Sequence, residues 1–158
     1  MPIPACSLIT KEHQTIDPGG YHLVHFPFGA GESYDAEGMH QMVQPDGYQI
    51  TDWRADPRAG LIWPTVAGWG ALTAMIQWEA GDYTELRDQV VRDPLGFTDD
   101  PVNTTATDHR PPSLGMQCFT KHHEMFVSPE VPLAIRVGHN DNRPRALVLA
   151  EFKLAIHT

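Results

Sequence analysis

The sequence predicts an all-β single domain, a β-sandwich of jelly-roll type with long loops and an N-terminal arm, on three observations. Thirteen glycines and fourteen prolines in 158 residues interrupt any long helix, because proline lacks the amide donor and glycine gives up the most backbone entropy on ordering. Short apolar segments repeat with period two, the period of a strand. Turn signals recur about every dozen residues without β–α alternation, the pattern of two packed antiparallel sheets.

The elements follow in chain order. Residues 1–19 carry Pro2, Ile3 and Pro4, a short possible strand at Ser7 to Ile9 and the turn Asp17-Pro18-Gly19-Gly20, and read as an arm ahead of a sandwich at 20–158. Tyr21 to Phe26 alternates and predicts a strand. Residues 27–47 hold Gly29, Gly31, Gly38, Pro45 and Gly47 among polar side chains and read as a long loop, of the kind that is usually functional or ordered by a partner. Strands are expected at Tyr48 to Trp53, Leu61 to Trp63 and Ala71 to Trp78, the last with Leu72, Ala74, Ile76 and Trp78 on one side.

Tyr83 to Arg92 fits either state, since Asp82 and Glu85 form a capping-box pattern while Leu86, Asp88 and Val90 alternate; its neighbours favour a strand. Residues 93–113 are turn-rich and read as a second connection or sheet edge. Met116 to Val127, Leu133 to His139 and Arg145 to His157 read as two successive hairpins. In the last strand Ala146, Val148, Ala150, Phe152, Leu154 and Ile156 are expected inward, with Leu147, Leu149, Glu151 and Lys153 outward.

One core suffices for a chain of this length, and 41% hydrophobic residues with fourteen aromatics place it among folded proteins. The net charge of -9 and the lack of a Lys/Arg stripe argue against nucleic acid. No apolar run reaches membrane-spanning length and the start lacks signal-peptide character, so folding in a cytoplasm is expected. Cys6 and Cys118 sit in no metal or redox spacing and are expected reduced, Cys118 as a small packed residue.

Candidate chemistry is sparse. Of nine histidines, His122 shares a strand face with Glu124, and His139 on the next strand would complete a three-ligand set of cupin type; His25 and His40 near the glycine-rich loop are further candidates. The cupin ligand spacing is missing, so no metal or other cofactor is expected. No nucleophile elbow or phosphate loop occurs, Gly29-Ala30-Gly31 lacking its third glycine. Asp93 and the pair Asp99-Asp100 read as solvated turns rather than a calcium cage or glycosidase pair. More informative are Trp53, Trp63, Trp69 and Trp78, more indole than a small core requires. An interface with another chain, or a stack of Trp53, Trp63, Trp69 and Tyr48 on sugar, would use the surplus.

Two resemblances follow. The stretch Met116 to Thr158, with its Ser128-Pro129 turn, Val131-Pro132-Leu133 and the closing strand Leu147 to Ile156, resembles the final strands of trimeric jelly rolls of the complement and tumour-necrosis-factor type. Gly60-Leu61-Ile62-Trp63-Pro64 with Gly68-Trp69-Gly70, and Asp108-His109-Arg110-Pro111-Pro112, resemble small virion proteins of tailed phages that infect actinobacteria. These imply a non-enzymatic structural subunit, a minor tail protein or capsid decoration present as a symmetric homotrimer. Its partners would be itself, other virion proteins and a host surface glycan, and it would be assembled in the host cytoplasm. Pro2, Ile3 and Pro4 would attach it to the particle. The alternatives are a carbohydrate- or receptor-binding module and a cupin-like metal enzyme.

Overall fold

The computed structural model describes residues 2–29, 33–99 and 102–158, and these form nine strands with no α-helix. In order they are β1 (Ala5–Thr10), β2 (Gln14–Ile16), β3 (His22–Leu23), β4 (Gly68–Trp78), β5 (Leu86–Arg92), β6 (Asn103–Arg110), β7 (Gln117–Val127), β8 (Leu133–His139) and β9 (Arg145–His157). One sheet runs β1-β9-β4-β7, with β2 also against β9; the other runs β3-β8-β5-β6. Every pairing is antiparallel.

The two inner faces enclose one core that includes Leu8, Phe26, Leu72, Trp78, Leu86, Ile135 and Phe152, the aligned packing of a β-sandwich. β4 obeys its sequence pattern, with Leu72, Ala74, Ile76 and Trp78 buried and the residues between them half-buried. The segment Tyr83 to Arg92 resolves as a strand because β5 lies between β6 and β8, where pairing on both sides outweighs the local capping pattern.

Several expectations need correction. Residues 1–19 are not an arm: β1 and β2 join the first sheet, and Cys6, Leu8, Thr10 and Ile16 are buried. Among the described residues only Pro2 to Pro4 precede the strand; Pro2 and Ile3 are exposed, while the Pro4 carbonyl accepts from Ile156 N at 2.9 Å. Met1 lies outside the described residues. The last three strands are not two hairpins, since β7 and β9 belong to one sheet and β8 to the other; both connections cross the core. Tyr48 to Trp53 forms no strand, only a Val43–Gln49 bridge with Ile50 N donating to Met42 O at 2.8 Å. Residues 103–110, expected as a connection or an edge, form the edge strand β6.

In β9 the pairing with β4 shifts between Gln77 and Trp78. This bulge reverses the phase, so Arg145 and Leu147 are buried before it and Ala150, Phe152, Leu154 and Ile156 after it. Ala146 and Val148 are therefore half-buried rather than inward.

Residues 57–63 fold over the outside of the second sheet. A 3-10 turn at Pro57–Gly60, capped by Asp56, leads to Leu61 and Trp63, which pack with Ala134 and leave β8 buried on both faces. Gly60 is required there, since a Cβ would lie 2.3 Å from the Val24 carbonyl.

Candidate assembly interface

The outer face of the first sheet mixes small and charged side chains at its centre. Register places Ala5, Ala155, Ala71 and Glu124 in one row and Ser7, Lys153, Thr73 and His122 in the next; two alanines hold the middle of the first row, and Lys153 and Thr73 the middle of the second. At one end Trp69 stands between His157 and Phe126. Trp69 is 49% exposed and Phe126 60%, and Ile3, 52% exposed, lies two residues beyond the Ala5–Ala155 pair. Aromatic side chains paired across strands and open to water form the kind of patch that another protein surface covers.

The adjoining β6–β7 edge is incompletely sealed. The inward residues of β7 are Gln117, Phe119, Lys121, His123, Met125 and Val127, of which Phe119, His123 and Met125 remain half-buried. Leu114 and Met116, just before β7, are exposed, Leu114 completely. Inside this edge Lys121 Nζ lies 3.1 Å from Asp88 Oδ1, an ion pair without hydrogen-bond alignment, and also contacts Asp108. Arg110 Nε donates to Asp88 Oδ2 at 2.7 Å and lays its guanidinium 5.0 Å from the Phe119 ring. The hydrogen bond from Lys121 holds the Asp108 carboxyl low against the opposing effect of burial, and burial first, then Lys121 and His122, push the His123 imidazole down. Each charge in the cluster is compensated, which lets β5, β6 and β7 carry ions between the sheets.

The four tryptophans and Tyr48 separate. Trp63 is 5% exposed, donates to Gln44 Oε1 at 2.5 Å and stacks on Phe97, so it anchors a loop and offers no surface. Trp78 packs in the core against Tyr83 and His139. Arg58 lies 4.1 Å from both the Tyr48 and Phe97 rings while bonding Asp46, and the Tyr48 hydroxyl donates to Asp56, so this tyrosine serves a loop stack. Trp53, half-buried, lies near the far end of the sandwich: its cleft includes Gln14, which pairs with Leu147, the partner of Trp78. Trp69 and Trp78 are nine residues apart on β4, about 30 Å. The sugar platform expected from Tyr48, Trp53, Trp63 and Trp69 together does not form.

The cupin-type set is likewise dispersed. His122 and Glu124 face outward on β7, whereas His139 is buried on β8 of the other sheet. One His139 nitrogen meets Ile16 O at 2.8 Å and the other meets Asp141 N at 3.2 Å, leaving neither for a metal. His25 Nδ1 bonds Arg54 O, and His40 Nε2 bonds Ala59 O beneath Phe28. No group of three or more ligating side chains gathers among the described residues. Asp93 closes its own turn, accepting from Phe97 N, Thr98 N and the Thr98 hydroxyl; in the pair Asp99-Asp100, and in Gly29-Ala30-Gly31, the residues Asp100, Ala30 and Gly31 lie outside the described residues. Cys6 is buried, its thiol pushed up by burial and then by Asp35. Cys118 is exposed on the outer face opposite Gln77, correcting the expectation of a packed residue.

Sequence reasoning missed Phe126, Met116 and Leu114. The signal was present in β7, whose even-numbered positions place Phe126 and Cys118 on the face opposite Val127.

No family model matches the sequence, and no curated protein matches it. Among solved structures it is similar to the Eiger TNF of S. frugiperda, at 13% identity over 100% of this chain and 94% of that one with a TM-score of 0.63. It is also similar to the globular domain of the zebrafish complement 1qA protein, at 15% identity over 98% of each chain with a TM-score of 0.62. The fold is thus the all-β, two-sheet jelly roll that these TNF and complement domains share.

Proposed function

We propose that this chain is a non-enzymatic, self-assembling virion subunit, a homotrimer seated on the tail or the capsid surface of a tailed phage. The observation that carries the reading is a pair of exposed apolar clusters at opposite ends of β7, Ile3, Trp69 and Phe126 on the sheet face at one end and Met116 and Leu114 beside the β6–β7 edge at the other. A face and an edge are different surfaces, so joining one copy's edge to the next copy's face is a heterologous contact, which forms a ring where the rotation between copies closes and an open filament where it does not. Three copies is the number that the jelly-roll resemblance implies, and the particle is what the Trp63–Trp69 region and the Asp108 to Pro112 run imply. The exposed Pro2 and Ile3 supply the attachment point to a neighbouring virion protein.

The experiment is made on tailed particles purified by density banding from cells that carry the gene. Gold-labelled antibody against the chain is expected to mark intact particles at symmetric positions on the tail or shell. Particles free of the chain, with all of it in the unassembled fraction, would overturn the virion role.

A further inference from the structure

A second surface lies at the opposite edge, away from the assembly interface. Between β2, β3 and the 53–57 loop a cleft of about 380 Å³ opens, with Glu12, His13, His22, His25, Trp53 and Arg54 in its wall, a size within the range of small-molecule sites. Its back is rigid, because the Gln14 side chain clasps the His25 backbone, donating to His25 O at 2.8 Å and accepting from His25 N at 2.9 Å. The bond joins β2 of one sheet to the chain leaving β3 of the other, and so closes this edge of the sandwich.

The polar groups in the wall select a ligand class. His22 Nε2 is 3.1 Å from Gly19 O, and His25 Nδ1 is 3.0 Å from Arg54 O. A carbonyl only accepts, so in the neutral imidazole each of these nitrogens carries the proton and the other ring nitrogen is left as an acceptor. Arg54 donates twice to the Glu12 carboxylate, which leaves no surplus positive charge. A phosphate or carboxylate, itself all acceptor, would meet acceptors without a compensating cation. A purely apolar ligand would strand the imidazoles, the carboxylate and the guanidinium. A ligand rich in hydroxyls satisfies both kinds of partner, donating to imidazole and carboxylate and accepting from guanidinium. Half-buried Trp53 adds an aromatic wall, with Arg54 4.8 Å from its ring. It also lines a smaller cleft of about 130 Å³ with Phe28 and Met42, so the surface continues past the indole.

We propose that the Trp53 cleft binds a neutral saccharide. This goes beyond assembly and does not depend on it: the cleft belongs to one chain.

The test is saturation-transfer NMR and calorimetry of the full chain with maltose, lactose, cellobiose, chitobiose and mannobiose, and with inorganic phosphate as a counter-probe. At least one disaccharide is expected to bind, with Trp53→Ala weakening it about tenfold and Trp69→Ala leaving it unchanged. Thermal melts accompany each variant, and His13→Ala, at an exposed position, is a second lesion that spares the packing and is expected to weaken binding as well. Binding of no disaccharide, binding that survives both Trp53→Ala and His13→Ala, or displacement of the sugar by phosphate would overturn the proposal. Native mass is followed in the same samples, so a failure of sugar binding and a failure of assembly are read separately.

Discussion

His40 shows how a residue with ligand chemistry is held in a structural role. It is 4% exposed, stacks on Phe28 with ring centroids 4.2 Å apart and bonds the Ala59 carbonyl. Burial pushes its imidazole below the ordinary range, more strongly than Ala59 and Asp35 pull it up. The folded chain therefore holds fewer protons here than the unfolded one. The resulting stability is complete above the unfolded imidazole value of about 6.5 and is lost as pH falls from there toward the depressed folded value. Half-buried His123 is shifted the same way. Melting temperature is expected to drop between pH 7.5 and pH 5, and His40→Gln to flatten that drop; calorimetric melts across this range check it, and an unchanged slope in the variant would contradict it. Trp63 and Cys118 were misread at this scale because residue type does not reveal the partner: Gln44, nineteen residues away, buries the first, and strand phase alone exposes the second.

At the scale of the element, strand identity was legible wherever a two-residue period ran unbroken, as in β4, and the C-terminal strands stand close to their expected bounds. Phase was not legible across a bulge. β9 reads as one alternating run, but the shift opposite Gln77 and Trp78 moves Leu147 inward and leaves Val148 half-buried. Leu147→Ala is accordingly expected to cost about 2–5 kcal/mol and Val148→Ala less than about 1 kcal/mol. Urea unfolding of the two variants measures this; equal costs, or the reverse order, would restore the unbroken alternation. Residues 1–19 were misassigned for a related reason: Pro2, Pro4 and the Asp17 to Gly20 turn are local breakers, whereas β1 owes its place to pairing with β9 some 145 residues later, a partner no local pattern names.

For the whole molecule, composition and turn spacing were enough for the two-sheet jelly roll, since both reflect the need of every strand to bury one face. The functional surfaces were harder to read. Trp69 was legible as surplus indole, and Pro2 and Ile3 as an expected attachment segment, but Phe126 becomes the neighbour of Trp69 only through the β4–β7 register, and the Trp53 cleft joins residues 12–25 to residues 53–57 through the fold. Which side chains stay open depends on sheet order, and sheet order is a long-range property. The assembly account rests on the apolar face and edge finding each other in a second copy. Sedimentation of the purified chain at micromolar concentration measures this directly. The expected mass is three times the 17.6 kDa of one chain, falling to a folded single chain in Phe126→Glu, while sedimentation of the unaltered protein as a lone 17.6 kDa particle would contradict the account.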